Sequence, residues 1–164
     1  MWLAVTALQA EVAVPVATDL LADGEISRTS RLPILLAFLA NHCSYCGDLE
    51  EGFLEPMLLS GDYSDKIVIR KLVLDNGSWL IDFNGNKVSA TGLASRYRVY
   101  VTPTLLFVDA LGKELARRMV GFNTPEMYGG YLDQCIETAR QQSRGTGRTA
   151  ELTTCRLPSP VDPN

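Results

Sequence analysis

Two cysteines stand two residues apart in Cys43-Ser44-Tyr45-Cys46, directly behind the apolar run Pro33-Ile34-Leu35-Leu36-Ala37-Phe38-Leu39. Thiols at that spacing can close a small disulfide ring and open it again, so the pair is a candidate dithiol redox centre. A strand would carry it to a sheet edge. A helix starting at Cys43 would then aim its free N–H groups and positive dipole end at the first sulfur, favouring a thiolate. Cys43 is thus expected to attack, with a pKa below the ~8.5 of a free cysteine. Cys46, one turn on, is expected to resolve the mixed disulfide.

The neighbours of the pair have weaker signals. His42 is the only histidine in the chain. Protonated, it would add to thiolate stabilisation, although a plain surface histidine is the simpler reading. Asp48, Glu50 and Glu51 would raise a nearby thiol pKa, and are read as a solvated helix face that shapes partner choice. Tyr45 offers an aromatic surface to a partner peptide. A second signal, Val101-Thr102-Pro103-Thr104, precedes the apolar run Leu105-Leu106-Phe107-Val108.

The elements that must position these residues follow from periodicity and turn chemistry. A short helix is expected over 19–28, capped by Thr18 or Asp19 and weakened by Gly24. Residues 33–39 read as a strand buried on both faces. The dithiol helix should run to about Leu59, kinked or interrupted by Pro56. A β-branched run over 67–74 is the second strand. Residues 75–89 carry Asn76-Gly77 and Asn84-Gly85-Asn86, turn signals that mark an irregular insertion with a small hairpin around 83–88. A helix over 91–97, a strand over 104–109, an antiparallel return over 114–120 and a helix from Pro125 to about Gln142 complete the pattern, Thr124 capping the last. The order predicts an α/β fold, a central mixed sheet flanked by helices.

The bulk properties agree with one domain. The chain has 164 residues, net charge −4 and 46% hydrophobic residues, with a mean hydropathy of +0.05. An acidic balance without a basic stripe argues against nucleic acid, and no apolar stretch approaches the ~20 residues of a membrane-spanning helix. Residues 1–16 read as the remnant of a secretory signal plus an entry segment, since Leu8 and Ala10 stand three and one residues before the polar break at Glu11. The basic start of such a signal is missing, and an ordinary apolar segment packing on the domain is the alternative. The domain is placed at 17–142, and 143–164 reads as a flexible polar tail. Cys135 is expected to be a buried helical thiol and Cys155 a tail residue; a bond between them is conceivable in an oxidising compartment, but spacing does not establish it.

Taken together, residues 38–46, Val101-Thr102-Pro103-Thr104-Leu105-Leu106-Phe107, Gly112-Lys113-Glu114 and Val120-Gly121-Phe122 resemble the landmarks of the thioredoxin superfamily, in order and at compatible distances over residues 19–139. Within it the chain looks most like bacterial periplasmic thioredoxin-like proteins encoded with sulfur-oxidation genes. The longer 75–89 connection, Tyr97-Arg98-Val99, and the acidic residues after the dithiol point that way. The resemblance implies a thiol–disulfide reductase of exported proteins and a cis bond before Pro103. It also implies that the backbone of Thr102 faces the dithiol and pairs with an extended substrate. Two departures are visible: Ala37 stands where cytoplasmic thioredoxins carry a buried acid, and His42 and Ser44-Tyr45 replace Trp and Gly-Pro. Tyr45 also resembles the disulfide isomerases of the bacterial Dsb group.

The leading expectation is therefore a periplasmic, monomeric oxidoreductase that needs no cofactor beyond the Cys43–Cys46 redox disulfide. Its partners would be proteins carrying disulfides or thiols, plus a separate electron donor such as a membrane thiol transporter. The alternatives are a Dsb-type isomerase or oxidase, a soft-metal module using His42, Cys43 and Cys46, and a structural disulfide in a binding domain. A closed metal site normally wants four ligands, and no resident metal is expected.

Overall fold

A computed structural model describes residues 12–145 and Cys155. The four-stranded sheet has the order β2 (Val68–Val73), β1 (Ile34–Leu39), β5 (Thr104–Val108), β6 (Met119–Val120). Strand β1 (Ile34–Leu39) lies centrally because all six of its residues are apolar and all are buried. It pairs in parallel with β2 (Val68–Val73), placing Ala37 opposite Lys71. On its other side it pairs antiparallel with β5 (Thr104–Val108), whose five residues are likewise buried. The mixed sheet flanked by helices is the architecture expected from the sequence.

Alternation along β1 sends side chains to two cores. Leu35, Ala37 and Leu39 pack with Leu49, Leu54 and Met57 of the dithiol-bearing helices and with Leu132 and Ile136. Ile34, Leu36 and Phe38 face Leu20, Leu80, Phe83 and Leu93 on the opposite side. Two-faced burial explains why the strand reads as a continuous apolar run.

Two helices cover the second face of the sheet and a third, at the C-terminal end of the domain, packs on the first. Helix α1 (Leu20–Ser30) is capped by Asp19, whose carboxylate accepts from the Ala22 N–H at 2.9 Å. Helix α4 (Ala90–Arg96) is capped by Ser89, whose hydroxyl accepts from the Gly92 N–H at 3.0 Å. Helix α5 (Pro125–Ser143) starts differently: Thr124 sits at φ 49° and its side chain makes no cap bond. Its hydroxyl donates to the Asn123 carbonyl instead. The expected side-chain cap is thus replaced by a left-handed turn.

The insertion is ordered as a hairpin of β3 (Trp79–Ile81) and β4 (Lys87–Ser89), so its strands flank the region expected. The Asp82 carboxylate organises the turn, accepting from the N–H groups of Asn84 and Asn86. Phe83 is buried in the second core, whereas Trp79 is exposed, with the Lys87 ammonium over its ring. The return strand is shorter than expected: only β6 (Met119–Val120) and a bridge from Val108 to Glu114 pair with β5.

The segment before α1 belongs to the domain. Val14 is buried in the first core. The Lys71 N–H donates to Pro15 O and the Ala17 N–H to Lys71 O, both at 2.8 Å, so the outer edge of β2 is covered. An unpaired edge there would be open to pairing with other chains. The candidate signal residues 1–11 lie outside the described residues, as does the expected tail apart from 143–145 and Cys155. Among the described residues, no helix is long and apolar enough to cross a membrane.

Candidate active site

Strand β1 ends at Leu39, and a short turn leads to Cys43, the N-cap residue of α2 (Ser44–Leu49). Cys43 adopts an extended conformation, φ −138° and ψ 102°, so its sulfur stands before the first helical turn. There, unsatisfied backbone N–H groups give the helix end its positive character. Cys43 and Cys46 form a disulfide with their Cα atoms 5.3 Å apart. The two sulfurs differ in access: Cys46 is only 3% exposed and belongs to the core, whereas Cys43 is half-buried at the surface. One accessible and one sheltered sulfur is what attack followed by intramolecular resolution requires.

The dithiol helix is not one regular cylinder. After α2 the backbone widens into a π-helical turn over Glu50–Leu54, then continues as α3 (Glu55–Ser60). The Glu55 N–H reaches back five residues to the Glu50 carbonyl. Pro56, which lacks an N–H and would crowd an α-helical carbonyl four residues back, follows directly. The interruption expected at Pro56 is therefore a π-bulge just before it, a device often found near functional sites.

Pro103 lies opposite the dithiol. The Thr102–Pro103 peptide is cis, and the Thr102 carbonyl oxygen is 3.6 Å from the Cys43 sulfur. Thr102 is half-buried, Pro103 is buried, and Tyr100 and Val101 beside them are exposed. Tyr45 is 60% exposed on the dithiol turn. The fold therefore brings Cys43, Cys46, Thr102 and Pro103 together, with Tyr45 at the surface.

His42 also stands at the surface, its side chain 94% exposed. It is held by a residue the sequence reading did not single out. Asp75, just past β2, accepts from the Asn41 N–H at 2.8 Å and the His42 N–H at 3.1 Å, and His42 Nδ1 lies 3.0 Å from it. These bonds, the one from the Asn41 N–H first, hold the Asp75 carboxyl down at about 2. Asp75 therefore fixes the turn that delivers Cys43. Its contact spans 34 positions in the chain, which local pattern could not reveal.

Glu50 corrects another expectation. Asp48 and Glu51 are exposed as a solvated face requires, but Glu50 is half-buried and pairs with Lys71 of β2. Both lie on a cavity of about 190 Å³ that is also lined by Cys43 and Cys46. Among the described residues, no group of three or more His, Cys, Asp or Glu side chains is placed to hold a metal ion. Cys135 and Cys155 form a second disulfide, Cα atoms 5.0 Å apart. The Arg117 carbonyl oxygen is 3.7 Å from each of its sulfurs.

A mixed sheet that presents a Cys-x-x-Cys pair at a helix N-terminus, across from a proline loop, defines a thioredoxin-like class of protein. A family model described as a thioredoxin-like domain matches residues 23–136. The chain belongs to that family. No curated protein matches it as a relative. Similar solved structures include a thioredoxin-fold protein from Helicobacter pylori, 19% identical with a TM-score of 0.49, covering 72% of this chain and 91% of that one. Mitochondrial thioredoxin 3 from Saccharomyces cerevisiae, in its oxidised form, is 17% identical with a TM-score of 0.49, covering 73% and 94%. A thioredoxin h from poplar is 18% identical with a TM-score of 0.46, covering 68% and 84%.

Proposed function

We propose that the protein is an exported thiol–disulfide oxidoreductase that reduces disulfides of periplasmic partner proteins. The observation that carries this reading is the asymmetry of the Cys43–Cys46 pair, one sulfur reachable at a helix N-terminus and the other sheltered behind it. In the reduced protein the Cys43 thiolate attacks a substrate disulfide, forming a Cys43 mixed disulfide and releasing one substrate thiolate, which takes up a proton. Cys46 loses its proton and attacks the Cys43 sulfur. The Cys43–Cys46 bond forms, the second substrate sulfur leaves as thiolate, and two electrons have passed to the substrate. No cofactor enters the cycle. A separate electron donor, such as a membrane thiol transporter, restores the dithiol.

Thr102 and Pro103 are the proposed substrate contacts. An extended peptide laid beside Thr102 would bring its own sulfur towards Cys43, since the Thr102 carbonyl is already 3.6 Å from that atom. Tyr45 supplies exposed aromatic surface next to it. His42, aligned by Asp75, is positioned to add positive charge at the turn when protonated. The resemblance to proteins encoded with sulfur-oxidation genes supports a periplasmic location, and the proposed working form is a monomer.

The test is disulfide exchange with insulin. Cys43→Ser should bring reduction to the uncatalysed rate while the fold survives, and Cys46→Ser should accumulate covalent mixed disulfides. A Cys43→Ser variant as active as wild type would end this reading. The reduction potential sets direction: a value near the ~−270 mV of thioredoxin makes the protein a reductase, and one near the ~−120 mV of the strong periplasmic oxidants makes it a disulfide donor.

A further inference from the structure

Resolution of the mixed disulfide requires Cys46 to lose a proton, yet Cys46 is 3% exposed and packed in an apolar core. Burial of this kind disfavours the thiolate. The strand behind it offers no base, because Ala37 of β1 is apolar. The cavity beside it does. Cys43, Cys46, Glu50 and Lys71 share its wall, together with Asn41 and Gly47. Cys46 and Glu50 are four residues apart along the helix, which sets both on one face. Lys71 reaches them from β2, where it stands opposite Ala37.

We propose that Glu50, with Lys71 as its counter-ion, accepts the Cys46 proton in the resolving step. This rests on the exchange reaction proposed above and names a residue for its second half. The pair is otherwise hard to account for. Its side chains are 18% and 19% exposed, and withdrawing two charges from water returns little net stability. A cavity of about 190 Å³ has room for water to bridge carboxylate and sulfur. The proton passes from Cys46 to the Glu50 carboxylate, the thiolate attacks the Cys43 sulfur, and the substrate sulfur leaves with the electron pair. Glu50 then returns the proton to solvent or to the departing thiolate. The charged and titratable groups that share the cavity wall with Glu50 are Lys71 from β2, Cys43 and Cys46.

Ellman's reagent separates the two halves of the reaction without a physiological substrate. Attack by Cys43 releases a first thionitrobenzoate, and ring closure by Cys46 releases a second. In Glu50→Gln the first phase should stay within about twofold of wild type, which also certifies the fold, and the second should slow about 100-fold or more, the low end of proton-transfer effects. Glu50→Asp should recover much of the second phase. The double variant Glu50→Gln/Lys71→Met should remain slow, showing that an unpaired lysine is not the cause. A second phase within twofold of wild type in Glu50→Gln overturns the proposal, as does recovery in the double variant. A wild type that completes the first phase but never the second removes the exchange reading itself, and this one with it.

Discussion

At the residue scale the site depends on a carboxylate that sequence pattern could not single out. Asp75 receives two backbone N–H groups from the turn before Cys43 and the His42 ring. Its carboxyl, held at about 2 against an ordinary 3.8, contributes stability to the fold that is fully present above its unfolded value. That contribution is lost as pH falls towards 2, because the proton then binds folded and unfolded chains alike. Asp75→Asn removes the charge and keeps the shape. Urea unfolding should show wild type more stable than Asp75→Asn at pH 5, with the gap narrowing from about pH 4 downward and closing near pH 2. A gap that does not change with pH would show that the carboxylate's charge is irrelevant to the turn. His42, by contrast, was legible as a candidate from position alone, while its orientation depended on this distant partner.

At the element scale, propensity and packing disagree about Gly24. Glycine inside a helix is destabilising by ~1 kcal/mol relative to alanine, and on that ground the residue only weakens α1. The fold supplies its reason: a Cβ at Gly24 would lie 2.4 Å from the Ala110 carbonyl oxygen. Alanine there would force backbone apart, so Gly24→Ala should destabilise by about 1–3 kcal/mol despite its better helix propensity. Chemical denaturation reads the difference, and a stabilised variant would show that α1 and the turn at Ala110 separate freely. The same division between local and distant information explains what the chain disclosed in advance. Strands β1, β2 and β5, the helix after Cys43 and the dithiol itself were legible because apolar runs, β-branching and Cys spacing are local signals. The widening at Glu50–Leu54 was foreshadowed by Pro56 but not its form. The hairpin's register and the absence of a Thr124 cap depend on contacts made across the fold, such as Ala90 N–H to Ser78 O at 3.0 Å. Glu50 misled for a related reason: its sequence neighbours are solvated, while its partner Lys71 comes from the adjoining strand.

At the scale of the whole molecule, two disulfides with opposite demands share one core. The Cys43–Cys46 pair must open and close, whereas Cys135–Cys155 ties helix α5 to a residue 20 positions further on. Cys135 is 1% exposed and packed with Tyr128, Leu132 and Ile136 in the same core that holds Cys46. Closing a loop of that length restricts the unfolded chain, an effect worth about 3 kcal/mol in the chain-entropy account. The small ring at the dithiol restricts less, about 2 kcal/mol on the same account, so its opening should leave the fold intact. Cys155→Ser should therefore lower stability by about 2–4 kcal/mol under oxidising conditions, while disulfide exchange through Cys43 continues at the wild-type rate. Adding excess dithiothreitol should bring wild type and variant to a common stability and lower wild type by more, since only wild type has the long loop to lose. Urea midpoints in the two redox states measure this directly. Equal midpoints for oxidised wild type and Cys155→Ser would assign the stability to packing around Cys135, with the crosslink contributing nothing to it.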